Sequence, residues 1–231
     1  MSITENVAVI RNKIASAAIA AGRKPEDIIF VAATKMNDAE RVKEAVRAGI
    51  DVCGENRVQE LLEKNQQGAY EGCPLHFIGH LQKNKVKYLV GLVDLIQSAD
   101  SQELISVIDK EAKKKNICQD ILLEVNIGAE ESKSGFRPEE IPGILSEIST
   151  YSNVNVRGLM AIPPICSNPA ENRPYFQRMK QLFVDNSGKK YDNIHMDFLS
   201  MGMSGDYEEA IACGANMVRV GSAVFGARIY K

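Results

Sequence analysis

A single (β/α)8 TIM-like barrel with an extra N-terminal helix is the fold class that this sequence predicts, and three observations predict it. Apolar β-type runs alternate with helical patterns along the whole chain. About one such unit recurs per 25–30 residues, and the count closes at eight strands. The alternative, a doubly wound open sheet, calls for a Gly-x-Gly-x-x-Gly after its first strand, and none is there.

The opening helix is predicted over residues 3–22, where Gly22 stops it and Pro25 follows. The run 28–34 reads as a buried first strand, and a helix over 38–48 follows and ends at Gly49. A short strand near Val52 leads to a helix after Glu55, and His76-Phe77-Ile78-Gly79 leads to one containing residues 84–90. The run 92–96 is the predicted fourth strand, with its helix at 101–115. The run 121–126 leads through a loop to a helix opened by Pro138, with Glu139 and Glu140 in the first turn, where the helix dipole favours carboxylates. Strands at 156–161 and 195–200 precede helices near 171–185 and 206–213, and Met217 to Val220 is the eighth strand. With no linker or low-complexity stretch between units, residues 1–231 are expected to form one domain.

A chain of 231 residues supplies one sizeable core and is short for two enzymatic domains. Its formal net charge of -2, with no basic block, argues against nucleic acid as a partner. Cys53, Cys73, Cys118, Cys166 and Cys213 are widely spaced and show neither Cys-x-x-Cys nor Cys/His ligand spacing, so no disulfide framework and no metal site is indicated. No signal peptide and no apolar run of bilayer-spanning length are evident, so a cytoplasmic protein without membrane contact is expected.

In this architecture reactive groups gather at the C-terminal ends of the strands. Lys35 follows the first strand on the alternating face of Ile29, Val31 and Ala33. Desolvating an ammonium after such a run lowers its pKa, and a neutral amine is what Schiff-base formation with an aldehyde requires. The plainer alternative is a strand-end lysine pointing to solvent. After the last strand, Gly221 lets the backbone approach closely and Ser222 adds a hydroxyl, as a phosphate site built from backbone N–H groups needs. The loop from Ser200 to Asp206 is again rich in small donors. Ordinary turns and caps are the alternative for both loops. Arg219 shares a face with Met217. A guanidinium there would bond a pyridine nitrogen while leaving it unprotonated, or it would pair with a buried carboxylate such as Asp197.

Several motifs together resemble the pyridoxal phosphate homeostasis protein family, which is related to the N-terminal barrel of alanine racemase. They are Val31-Ala32-Ala33-Thr34-Lys35, Gly54-Glu55-Asn56, the run from His76 to Lys85, Arg157-Gly158-Leu159-Met160, the run from Leu199 to Ser204, and Arg219-Val220-Gly221-Ser222. The resemblance runs from about residue 7 to residue 228. It implies a fold-type III barrel for pyridoxal 5'-phosphate (PLP), with Lys35 as the Schiff-base lysine. It also implies that Ser200, Gly221 and Ser222 hold the phosphate, that Arg219 faces the pyridine nitrogen, and that Asn56 and His80 line the pocket. For His80 a helix start without cofactor contact stands as the alternative, and His76 reads as a packing residue. Arg57 stands where the family often has an aromatic, which leaves the pocket edge open.

The resemblance bears on activity as well. Alanine racemases add a C-terminal β domain whose Tyr is the second acid/base, whereas this chain ends at Lys231 after the eighth unit. One lysine serves one face of a carbanion, and Tyr207 and Tyr230 read as surface or packing residues. The first expectation is therefore a monomeric protein that binds PLP and regulates or delivers it, with PLP-dependent apoenzymes as partners and no catalytic residues of its own. A small amino-acid racemase, and an enzyme for phosphate ligands that does without PLP, are the alternatives.

Overall fold

Ser2 sets the start of the first helix, α1 (Ile3–Ala20): its hydroxyl accepts from the Glu5 N–H, and the Glu5 carboxylate accepts from the Ser2 N–H. This reciprocal cap satisfies two amides that the helix cannot. Ile3, Val7, Ile10, Ile14 and Ala18 recur at helical spacing and are buried, so one stripe of α1 packs against the rest of the protein. In this computed structural model residues 1–188 and 191–226 are described.

The strands are β1 (Ile29–Ala33), β2 (Val52–Glu55), β3 (Leu75–Phe77), β4 (Leu95–Ala99), β5 (Gln119–Val125), β6 (Val154–Ala161), β7 (Ile194–Ser200) and β8 (Met217–Val220). Each pairs in parallel with the next, and β8 pairs with β1, which closes the barrel. Between them run α2 (Ala39–Arg47), α3 (Val58–Gln66), α4 (Val86–Leu89), α5 (Gln102–Lys114), α6 (Ile141–Ile148), α7 (Arg173–Ser187) and α8 (Tyr207–Ala212), and α9 (Ser222–Phe225) follows β8. The alternation of units along the sequence is thus the alternation of inner strands and outer helices.

The fourth strand departs from its expected limits. It begins at Leu95, because the Leu92 and Val93 amides both donate to the Leu89 carbonyl and close α4 as a turn. The apolarity of 92–93 serves that turn, where Val93 is buried, and the Asp94 carboxylate then accepts the Leu75 amide at 2.7 Å.

Strand alternation divides the apolar residues into two cores. Val31, Val52, Ile78, Leu95, Leu122, Met160 and Met217 fill the barrel interior, with Ile29 and Ala33 packed against them. Phe30, Ala32 and their counterparts on other strands face the helices and form the larger outer core. The five cysteines are unbridged, although the Cys53 and Cys73 sulfurs lie 3.7 Å apart. Among the described residues no cluster of His, Cys, Asp or Glu is placed to hold a metal ion, and no helix is long and apolar enough to cross a membrane.

Candidate functional site

Lys35 stands two residues beyond the end of β1, half-buried, on the same parity as the inward-facing Ile29, Val31 and Ala33. On the neighbouring β8, Arg219 is level with Val31 and therefore deeper in the barrel. Its guanidinium is only 4% exposed and donates to Ser200 Oγ at 2.5 Å and to the Ala161 carbonyl at 2.9 Å. Both acceptors are uncharged. Burial pulls the Arg219 pKa down to about 10, against the opposing influence of Glu124 and Asp206, so it keeps its proton at neutral pH. The pairing of Arg219 with Asp197 does not occur. Asp197 is exposed and lies 2.7 Å from Arg157, which also pairs with Asp120 at 2.6 Å.

Ser200 is fully buried, and its hydroxyl links Arg219 to Gln97 Oε1 at 2.7 Å. The Gln97 amide nitrogen lies 3.0 Å from His76 Nδ1. A file of polar groups therefore crosses the barrel among its apolar filling, and the Gln97 amide nitrogen also lies 3.2 Å from the Met217 sulfur. Burial lowers the His76 pKa to about 4, with Asp94 opposing, so the ring is neutral; it packs near the start of β3, inside the barrel.

Glu124 joins this polar layer, and reading the sequence for strand ends passed over it. It is half-buried on β5, on the parity of Leu122. Burial, then the nearby Asp100, pushes its pKa up to about 7, while Arg219 draws it down. Its signal in the sequence was a carboxylate in the alternation of an otherwise apolar run. Gln97, on the parity of Leu95, carried the same kind of signal.

Two loops meet beside Lys35. The Gly221 N–H donates to Ser204 Oγ at 3.1 Å, and Ser222 lies exposed at the start of α9. A Cβ on Gly221 would come within 3.2 Å of the Ala33 Cβ, so glycine brings the β8 backbone close to the lysine-bearing strand. Asp206 pins the other loop by accepting the Met203 amide at 2.7 Å and the Asn172 side-chain amide at 2.8 Å. Ser204, in the small-donor run but not singled out in it, thus joins Gly221 and Ser222.

Asn56 follows β2, and its side-chain oxygen is buried with no hydrogen-bond partner among the described residues. Such an atom is costly unless something supplies a donor. Gly79 permits the approach of the β2 and β3 ends, since a Cβ there would sit 2.2 Å from the Asn56 carbonyl oxygen. His80 starts no helix. It lies in the loop after β3, 64% exposed, with Nδ1 3.1 Å from Asp100. Arg57 is exposed ahead of α3, 3.5 Å from Glu60. Tyr207 is a buried packing residue, and Tyr230 lies outside the described residues.

A closed parallel barrel with an amine, a guanidinium and a small-residue cradle at one end defines the class, and the family model described as alanine racemase, N-terminal domain, matches residues 2–229. Among curated relatives, the pyridoxal phosphate homeostasis protein of Aquifex aeolicus is 43% identical over the whole of both chains. That of Escherichia coli K12 is 36% identical over 99% of this chain and 98% of its own. The chain belongs to the pyridoxal phosphate homeostasis protein family, on the alanine racemase N-terminal fold. Among solved structures, a Bifidobacterium adolescentis protein superposes with a TM-score of 0.89 at 34% identity, covering 96% of this chain and 94% of that one. PipY of Synechococcus elongatus, solved with PLP bound, gives 0.83 at 29% identity, covering 97% of this chain and 100% of its own.

Proposed function

We propose that this chain binds PLP and serves its homeostasis in the cell, with Lys35 holding the cofactor as a Schiff base. The observation that carries this reading is the adjacency of β1 and β8. The amine follows one strand, and the Gly221–Ser222–Ser204 cradle follows its neighbour, with Gly221 against Ala33. PLP bears its aldehyde and its phosphate arm on adjacent ring carbons, so the two ends of the ligand match two adjacent strand ends. Its ring nitrogen lies opposite the aldehyde, on the side where the deeper, protonated Arg219 can donate to it. The buried Asn56 oxygen is an acceptor suited to a ligand hydroxyl. Ser200 remains in the set as the residue that carries Arg219, a more indirect part than the phosphate contact the resemblance implies. His80, paired with Asp100, stands at the rim.

Bound PLP supplies an electrophilic aldehyde and a ring that accepts electrons. A protonated guanidinium at its nitrogen leaves that ring a weak sink. The reading is accordingly a one-domain, monomeric cytoplasmic carrier or regulator that passes PLP to dependent apoenzymes and turns over little itself. Its homeostasis part is supported by relatives named pyridoxal phosphate homeostasis protein that match over the full chain. The test is borohydride reduction of PLP-loaded protein followed by peptide mapping. A reduced adduct should appear on residue 35 and vanish in Lys35→Ala; an undiminished adduct in that variant rejects the assignment.

A further inference from the structure

The turn that carries Lys35 is held from outside the barrel by a side-chain cluster, alongside the Asn37 side-chain amide, which donates to the Lys35 carbonyl at 3.0 Å. On one side of the lysine, the Thr34 carbonyl accepts from Lys64 Nζ at 2.9 Å. On the other, the Met36 amide donates to Glu60 Oε2 at 2.8 Å. Glu60 and Lys64 are one turn apart on α3 and pair with each other at 3.3 Å. Lys64 also pairs with Glu55 Oε2 at 2.7 Å, and that oxygen accepts the Thr34 hydroxyl at 2.9 Å and the Tyr70 hydroxyl at 3.3 Å. The other Glu55 oxygen accepts the Asn56 amide at 2.9 Å. One connected cluster therefore anchors the backbone on both sides of Lys35 and the backbone of Asn56.

Two features are out of proportion to a merely stabilising role. Glu55 is fully buried and the Lys64 side chain 8% exposed, and a buried ion pair commonly contributes no more to stability than apolar residues of the same volume. Met36 has φ of +60°, a conformation that side-chain-bearing residues seldom adopt and that persists where surroundings impose it. Here the Glu60 carboxylate holds its amide.

We propose that the Glu55–Lys64–Glu60 cluster is a positioning device that aims the Lys35 amine and the Asn56 side chain into the barrel mouth, registering both to α3. The proposal rests on Lys35 being the cofactor lysine. It makes Glu60 and Lys64 positioning residues, which act on the ligand only through the turn they hold.

Glu60 gives the clean test, because it is half-buried and its loss leaves the Glu55–Lys64 pair intact. Wild type, Glu60→Ala, Glu60→Gln and Lys35→Ala are compared in the rate of borohydride-trapped PLP adduct at residue 35, in amide hydrogen exchange at residue 36 without cofactor, and in thermal midpoint. In Glu60→Ala the trapping rate should fall tenfold or more and exchange at residue 36 should quicken by a similar factor. Glu60→Gln keeps an acceptor oxygen for the Met36 amide and should restore both to within about twofold, which a loss of general stability would not do. Wild-type trapping and exchange in Glu60→Ala overturns the proposal alone. Absence of any adduct at residue 35 in wild type overturns the cofactor reading and this proposal with it.

Discussion

The barrel interior holds two materials side by side. Its filling of Val31, Val52, Leu95, Leu122 and Met217 is apolar. The same inward parity also carries His76, Gln97, Glu124, Ser200 and Arg219, bonded to one another or held at shifted pKa. The filling stabilises through area removed from water, about 25 cal/mol per Å2, with no requirement on direction. The polar set costs desolvation and is tolerable only where each polar group meets a partner. Stability and chemistry are thus assigned to different residues of the same strands, which interleave: Arg219 is level with Val31, His76 with Leu95 and Ser200 with Met217.

Leu122→Ala tests the filling and carries the largest expected effect. A fully buried leucine truncated in a close-packed interior should cost about 2–5 kcal/mol in urea unfolding. The protein that remains folded should still trap PLP on Lys35; loss of trapping in the folded fraction would show the apolar filling and the polar set to be coupled.

Glu124→Gln probes the mouth with opposite sign. The folded chain holds the Glu124 proton up to about 7, whereas an unperturbed glutamate loses it at about 4.5. Ionisation therefore costs the fold: the penalty is absent below about pH 4.5, grows through the interval, and is complete above pH 7. The substitution should stabilise the protein by up to about 3 kcal/mol at pH 8, at about 1.4 kcal/mol per pKa unit, and by nothing near pH 4. Equal effects at both pH values would refute the assignment.

The smallest effect is expected at the rim. His80→Ala removes the contact between a largely exposed imidazole and the Asp100 carboxylate and should change unfolding free energy by less than about 1 kcal/mol. A larger loss would place His80 in the packed structure rather than at its edge.

Much of the architecture was legible in the chain, because strand and helix periodicities are local. Eight strands were expected, and eight close the barrel. The misplaced limit, at residues 92–96, arose where an apolar pair served a helix end instead of a strand, a distinction that depends on whether the Leu92 and Val93 amides bond back to Leu89. The candidate site was legible as parity alone: Lys35 beyond β1 and Arg219 within β8 each continue an inward face. It was illegible where the function of a residue is its contact with a distant one. Asp197 could be weighed as a partner for Arg219 only because nothing local reveals that Arg157 takes it.

Lys35 shows the division most clearly. The sequence alone determined that a lysine continues the inward face of the first strand, because side chains alternate with a period of two whatever the surroundings. Tertiary structure decided what surrounds that lysine: β8 beside it with Arg219 and Gly221, Glu124 within electrostatic reach of Arg219, and α3 reaching back through Glu60 and Lys64 to hold the turn on both sides. Those neighbours come from separate parts of the chain. Only barrel closure, which fixes every strand's register against the next, brings them to one place.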